Sequence, residues 1–398
     1  MEKDLKIFTK NIENEAVEQI NGIMDQVAFK DSKVRIMPDV HAVKGCVVGF
    51  TAKLGDKIIP AIVGGDIGCG MFCANIGKVD IDFDKLDNVI RNCVPSGIEL
   101  HSQIVSNFEL EKLKCFKSLR HPDRVKKSLG TLGGGNHFIE IDKDEDDNKY
   151  LIVHTGSRSL GTEIARCYQS LADKVCNYGY LDYLKKIKDT IEIYKIQGRE
   201  KELESVLKEL KKEENIKIND IPYYYTYVEG EYKDNYLHDM KIGQEFAVQN
   251  RKIIAETIAN EMGFNIDDYF ESVHNYISFD DNIVRKGAIS AKKGEQVIIP
   301  MNMRDGCIIG VGKGNSDWNY SAPHGAGRIF SRSEAKKKIN LEDYKKSMEG
   351  IYTTSVNDFT IDESPFVYKP TREIVENIEP TVEIKRIIKP IYNYKANK

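Results

Sequence analysis

The sequence lacks an excess of either charge. Lysine and arginine total 58 against 62 acidic residues, a net charge of −4, so any grip on a polyanion must come from local patches or specific contacts. It also lacks an apolar run of membrane-spanning length, and it opens MEKDLKIFTKNIENEA without an apolar signal core. Those absences argue against a membrane span or secretory signal and predict a cytoplasmic protein. No CxxC pair occurs among the eight cysteines, which excludes a disulfide framework and predicts mostly buried thiols in a reducing compartment. Neither a Walker GxxxxGK[ST] loop nor a dinucleotide GxGxxG is present. No Pro/Ser-rich linker, low-complexity tract or internal repeat divides the chain. The 398 residues, 41% hydrophobic, therefore read as one compact α+β domain over 1–398.

What is present is a chain of short apolar runs punctuated by Gly, Pro and Asp. VRIM, CVVGFTA, KIIPAIV and MFCANI between Val34 and Cys73 read as strands, as do YLIVHTGSR, RKGAIS, QVIIPM and CIIGVG. Helical patterns fill 83–127, Leu160 to Cys176, and Asp239 to Met262, where Ile254, Ile258 and Met262 make a stripe. Residues 181–214 differ in composition. Leu184, Ile187, Ile191 and Tyr194, then Leu203, Leu207 and Leu210, recur at helical spacing among Lys and Glu, with Gln197-Gly198 between. That pattern predicts a helical-hairpin insertion. The basic run Lys117, Arg120, Arg124, Lys126 and Lys127 reads as a solvated face.

Chemistry concentrates around histidine. His101, His121 and His238 sit in polar sequence without neighbouring glycines. His41, His137, His154, His274 and His324 mostly stand at the ends of apolar runs beside small or amide residues, where a ligand or metal can approach closely. GGDIGCGM adds Asp66 and Cys69 in a tight loop. A thiolate, a carboxylate and imidazoles suit a borderline divalent cation, and there are enough of them for two cations sharing the thiolate, an arrangement used in phosphoryl chemistry. HTGSRSLG and HGAGRIFSR each combine a His, glycines and an Arg, and Arg158 or Arg328 could fork onto phosphate.

PDVHAVKGCVVG, GGDIGCGM, GTLGGGNHFIEI, HTGSRSLG, AVQNR, His274-Asn275, RKGAISA, HGAGRIFSR and DESPFVYK, with the tail KPIYNYKA, follow one another in an order that resembles the RtcB family of RNA ligases. The resemblance implies central β-sheets around a metal and nucleotide cleft. It implies ligation of RNA 3′-phosphate or 2′,3′-cyclic phosphate ends to 5′-hydroxyl ends, with GTP, two Mn²⁺ and a histidine–GMP intermediate. RNA repair or tRNA splicing is the implied setting, with an accessory activator as a further partner. Carried over by motif, Asp66, Cys69, His137, His154 and His274 are the metal ligands, Cys69 bridging, and His324 is the nucleophile. Asn136, His137, Phe138, Glu140, His274, Asn275, Pro300, Met303, Gly325, Ala326, Gly327, Arg328, Tyr368 and Lys395 are the nucleotide-contacting positions. Glu140 would read a guanine edge. His41 and Arg251 lie in the motifs without an assigned role. IPMNMRDGCIIG departs from the family's usual IPGSMG segment, which bears on contacts at Met301, Asn302 and Cys307. The alternative within the same ligand set is a metal-dependent cyclic-phosphate phosphoesterase without ligation.

Overall fold

Strands follow the β-branched runs of the sequence, and their alternation decides which side chains turn inward. The computed structural model describes residues 4–212 and 216–396. In chain order its strands are β1 (Leu5–Ile7), β2 (Val34–His41), β3 (Val48–Lys53), β4 (Gly70–Gly77), β5 (Phe138–Lys143), β6 (Lys149–Thr155) and β7 (Tyr269–Val273). They continue as β8 (Asn275–Ser278), β9 (Ile283–Lys286), β10 (Ala288–Ser290), β11 (Gln296–Asn302), β12 (Gly306–Gly312), β13 (Ser321–Pro323) and β14 (Val382–Lys395). Up to Met262 its α-helices are α1 (Asn14–Met24), α2 (Phe83–Cys93), α3 (Pro122–Lys127), α4 (Arg158–Asn177), α5 (Tyr180–Ile196), α6 (Leu203–Leu210) and α7 (Gly230–Met262).

Seven strands form the principal sheet in the order β11-β12-β14-β5-β6-β4-β7, every pairing antiparallel. The sheet curls until its two edge strands meet, where Ile298 N–H on β11 donates to Ser272 Oγ on β7 at 3.0 Å. Met71, Ile152, Ile298 and Ile388 fill the inside of this nearly closed sheet. The outer face, with Ile139, Ile141 and Val153, is covered by Leu86 and Ile90 of α2 and Ile254 and Ile258 of α7. Each such fully buried aliphatic side chain contributes about 1.5–3 kcal/mol. A second sheet, β1-β2-β3-β9-β8, packs against α1 and α4. The architecture is α+β in a single domain.

The long helix α7 begins at Gly230, well before the expected Asp239, because its first turns are mostly polar and carry their stripe on Tyr232 and Tyr236 rather than on aliphatic residues. KIIPAIV is not a strand. Its centre is a 3-10 turn, Pro60–Ile62, since Pro60 has no N–H to give a ladder. Only the two ends of 83–127 are α-helical, as α2 and α3, with short 3-10 turns at Leu110–Lys112 and Phe116–Ser118 between them. The two helices expected in 181–214 are α5 and α6, neither with a buried residue; 213–214 lie outside the described residues. No helix among the described residues is long and apolar enough to cross a membrane.

Candidate metal and nucleotide site

The strand register brings distant residues to one mouth of the curled sheet. Gly70 pairs with both Thr155 and Val273, and Phe138 pairs with His154. Asp66 and Cys69 therefore enter β4, His137 enters β5, His154 ends β6 and His274 leaves β7 at the same level. Helix α7 clamps these turns from beneath. Fully buried Arg251 donates to Gly68 O at 2.7 Å and Thr155 O at 2.9 Å while pairing with Glu271. Its neighbour Asn250 donates to Gly156 O and accepts from the N–H groups of Gly130 and Thr131. Gly156 itself must be glycine, because a Cβ there would sit 2.3 Å from Asp66 Oδ1. The AVQNR motif thus holds three loops in place, and Arg251 acquires the role its sequence could not disclose.

Cys69 Sγ lies 3.3 Å from His154 Nε2 and 3.5 Å from His137 Nε2. His137 Nε2 is 3.3 Å from Asp66 Oδ2, and His154 Nε2 is 3.3 Å from His274 Nε2. Two ligand triads result, Asp66–Cys69–His137 and Cys69–His154–His274, each with its ligand atoms within 4.8 Å and both sharing the thiol. The tautomers favour a cation. His137 Nδ1 donates to Leu132 O at 2.9 Å and His154 Nδ1 to Asn136 O at 3.2 Å. A carbonyl only accepts, so the Nε2 lone pair of each ring points inward. Burial pulls the His154 and His274 imidazoles well below their ordinary range, which keeps them neutral. Burial opposes the charge on Asp66, but the His137, Cys69 and His154 side chains beside it more than offset this and hold the carboxyl below the usual range. Lone pairs, a carboxylate and one shared sulfur facing each other in a buried pocket fit two borderline divalent cations bridged by a thiolate.

His324 follows β13 and lies beside this cluster, its ring centroid 4.7 Å from that of His274. Its Nδ1 is 2.6 Å from Asp39 Oδ2, which also accepts the His324 backbone N–H at 3.1 Å. Asp39 is fully buried on β2, and as a carboxylate it fixes the Nδ1–H tautomer, freeing Nε2. Gly327 completes the support. Its φ is +75°, and a Cβ would lie 2.5 Å from the Asp39 carbonyl oxygen.

A cleft of about 420 Å³ opens in front of His324, within the size range of small-ligand sites. Of the residues carried over from the motifs, Asp66, Asn136, Phe138, Glu140, His154, His274, Asn275, Pro300, Met303, His324, Ala326, Gly327, Arg328, Tyr368 and Lys395 line it. Cys69, His137 and Gly325 stand behind that lining. Met301 and Asn302 from the divergent segment also line the wall, while Cys307 is buried inside the sheet. Arg328 is engaged by the protein, donating to Asp362 O at 2.6 Å and Phe330 O at 3.1 Å. Arg158 lies under the glycine loop with Nε donating to Thr131 Oγ1 at 3.2 Å. His101, His121 and His238 are absent from the cleft lining.

Several contributors escaped the sequence reading. Asp39 stood inside PDVH and Glu363 inside DESPFVYK, both quoted but unassigned. Burial would push the Glu363 carboxyl up, yet Lys395, Arg332 and Arg328 hold it down at about 2. It accepts from Tyr368 Oη at 2.7 Å and Lys395 Nζ at 3.2 Å, fixing two cleft walls together. Lys286, Arg332 and Asn393 also line the cleft. Lys286 was visible in RKGAISA. Arg332 was visible as the last residue of HGAGRIFSR, while Asn393 becomes readable only when the tail strand is laid beside β5, opposite Glu140.

The model of the family described as tRNA-splicing ligase RtcB matches residues 23–120 and 102–396. RNA-splicing ligase RtcB1 of Escherichia coli is 29% identical over 96% of this chain and 94% of its own. RNA-splicing ligase RtcB of Escherichia coli K12 is 28% identical over the same shares. The tRNA-splicing ligase RtcB of Archaeoglobus fulgidus is 26% identical over 92% of this chain and 87% of its own. With the family model spanning both the ligand cluster and the His324 loop, this chain belongs to the RtcB family of RNA-splicing ligases.

Proposed function

We propose that this protein joins RNA 3′-phosphate or 2′,3′-cyclic phosphate ends to 5′-hydroxyl ends, using GTP and two Mn²⁺ and passing through guanylylated His324. The observation that carries the reading is the Asp39–His324 pair at the edge of a nucleotide-sized cleft, beside two ligand triads that share one sulfur. His324 Nε2 attacks the α-phosphorus of GTP and pyrophosphate leaves, splitting one difficult displacement into easier ones. Positive charge developing on the ring is met through Nδ1–H by the buried Asp39 carboxylate. The RNA 3′-phosphate, formed from a 2′,3′-cyclic phosphate by prior addition of water across the P–O2′ bond, then displaces the imidazole, taking GMP onto the RNA end. The 5′-hydroxyl attacks that activated phosphate and GMP departs. Asp66, Cys69, His137, His154 and His274 would hold the Mn²⁺ ions, which would neutralise charge on the phosphates and help the incoming hydroxyl lose its proton.

The chain's own groups supply positioning. Glu140 reads the guanine N–H edge, Phe138, with Lys395 Nζ 5.1 Å from its ring centroid, offers an apolar wall, and Tyr368 is held by Glu363. The test is incubation with α-labelled GTP and Mn²⁺. A covalent label that disappears in His324→Ala supports the ligase. Cyclic-phosphate hydrolysis with no label under any divalent metal would leave the phosphoesterase.

A further inference from the structure

The inside of the curled sheet is mostly apolar, with Ile152, Ile298, Ile309 and Ile388 packed together. Strand β5 nevertheless sends two carboxylates into it. Period-two alternation puts Phe138, Glu140 and Asp142 on one face while Ile139 and Ile141 face the helices. Cys307 from β12 completes a triad whose ligand atoms all lie within 4.8 Å of one another. Glu140 is 2% exposed, and Asp142 and Cys307 are 0% exposed.

The groups around this triad do not satisfy it. Neither oxygen of Asp142 meets an N–H or O–H donor. Asn393 on β14, itself buried, donates its amide to Glu140 Oε1 at 2.8 Å, which leaves its carbonyl Oδ1 buried and without a partner. Lys395 and Lys389 are the cations whose fields reach the two carboxylates. Both ammonium groups are engaged elsewhere, Lys395 on Glu363 and Lys389 on Asp305 O. Adjacent buried carboxylates without a counter-charge are costly unless protonated or joined by a cation. Burial accordingly pushes Asp142 up to about 8.

We propose that Glu140, Asp142 and Cys307 hold a structural divalent cation of the zinc class inside the sheet, separate from the two positions at its mouth. One thiolate and two carboxylates form the donor set. The sulfur selects a borderline cation over Mg²⁺ or Ca²⁺. Binding releases the Cys307 proton and keeps both carboxylates ionised. Because Glu140 also lines the cleft, the same cation braces one wall of the nucleotide site.

The test uses the full chain loaded with Zn²⁺ and Mn²⁺, dialysed, and measured by elemental analysis and by anomalous diffraction at the zinc edge. An anomalous peak bounded by Glu140, Asp142 and Cys307 is expected. Folded Asp142→Asn and Cys307→Ser should each retain about one zinc equivalent less than the wild type. Cys69→Ala should lose metal at the mouth while keeping the interior zinc. Zinc-loaded wild-type crystals without density among the three residues would overturn the proposal even if the variants do not fold. So would an unchanged zinc content in a folded Cys307→Ser protein.

Discussion

Replacing Asp39 by Asn isolates what its charge does for His324. Both bonds from His324 fall on one carboxylate oxygen, the ring at 2.6 Å and the backbone N–H at 3.1 Å. An amide oxygen in the same place still accepts both, so the loop keeps its shape. What is lost is the charge that meets the imidazolium developing in the transition state. A hydrogen bond to a charged group contributes about 1.5–3 kcal/mol against about 0.5–1.5 kcal/mol for the neutral one that remains, a loss of about 1–1.5 kcal/mol. At about 1.36 kcal/mol per decade, that becomes about a 5- to 13-fold slower guanylylation. Asp39 does not line the cleft, so the loss should fall on the single-turnover rate constant and leave half-saturation by GTP near its original value. Asp39→Ala should be worse in a second way, leaving the His324 N–H unpaired at about 1–3 kcal/mol of stability. Rapid-quench labelling with α-labelled GTP measures the rate, and thermal denaturation measures the stability. A wild-type labelling rate in Asp39→Asn, or a change confined to GTP affinity, would refute the reasoning.

Three further outcomes follow from the same geometry. Gly327→Ala must adopt a left-handed backbone and push against the Asp39 carbonyl. It should displace His324 and lower both melting temperature and labelling, and an unperturbed variant would remove the support assigned to that glycine. Arg251→Met strips the partner from Glu271 and releases Gly68 and Thr155, a loss of about 3–5 kcal/mol for a broken buried pair, readable by urea denaturation. Metal-free protein should lose stability as pH falls below about 6.5. Burial holds His41 at about 4 and depresses His154 and His274 further, so the unfolded chain takes up protons there that the folded chain refuses. The His41 part of the effect is complete once pH has dropped through about 4. Asp142, held at about 8, works in the opposite sense, so the slope is read by difference. A His41→Asn variant with an unchanged profile between those limits would contradict neutral burial of that ring.

Much of the site was legible because its residues sit in short, glycine-marked motifs. Five histidines, most of them at run ends, and the Asp66–Cys69 loop carried a local signal, and the comparison with three unremarkable histidines sharpened it. What sequence could not give was convergence. Cys69 and His274 come together through the β4–β7 pairing, and His324 reaches them only because β2 places Asp39 behind it. Arg251 was opaque for the same reason, since its partners are backbone carbonyls in loops far away in sequence. At the fold level, Pro60 turned an apolar run into a 3-10 corner, and the polar first turns of α7 hid its true start. The β5 alternation was visible in FIEID. That Asp142 meets Cys307 was not, because the contact exists only after the sheet curls.

The most direct measurement is tandem mass spectrometry of the intact chain after incubation with GTP and Mn²⁺. The account predicts a GMP adduct on the peptide containing His324-Gly325-Ala326-Gly327-Arg328, lost when His324 is replaced and sharply reduced in Asp39→Asn. Metal-loaded protein that carries no adduct, or carries it on a lysine instead, would contradict it.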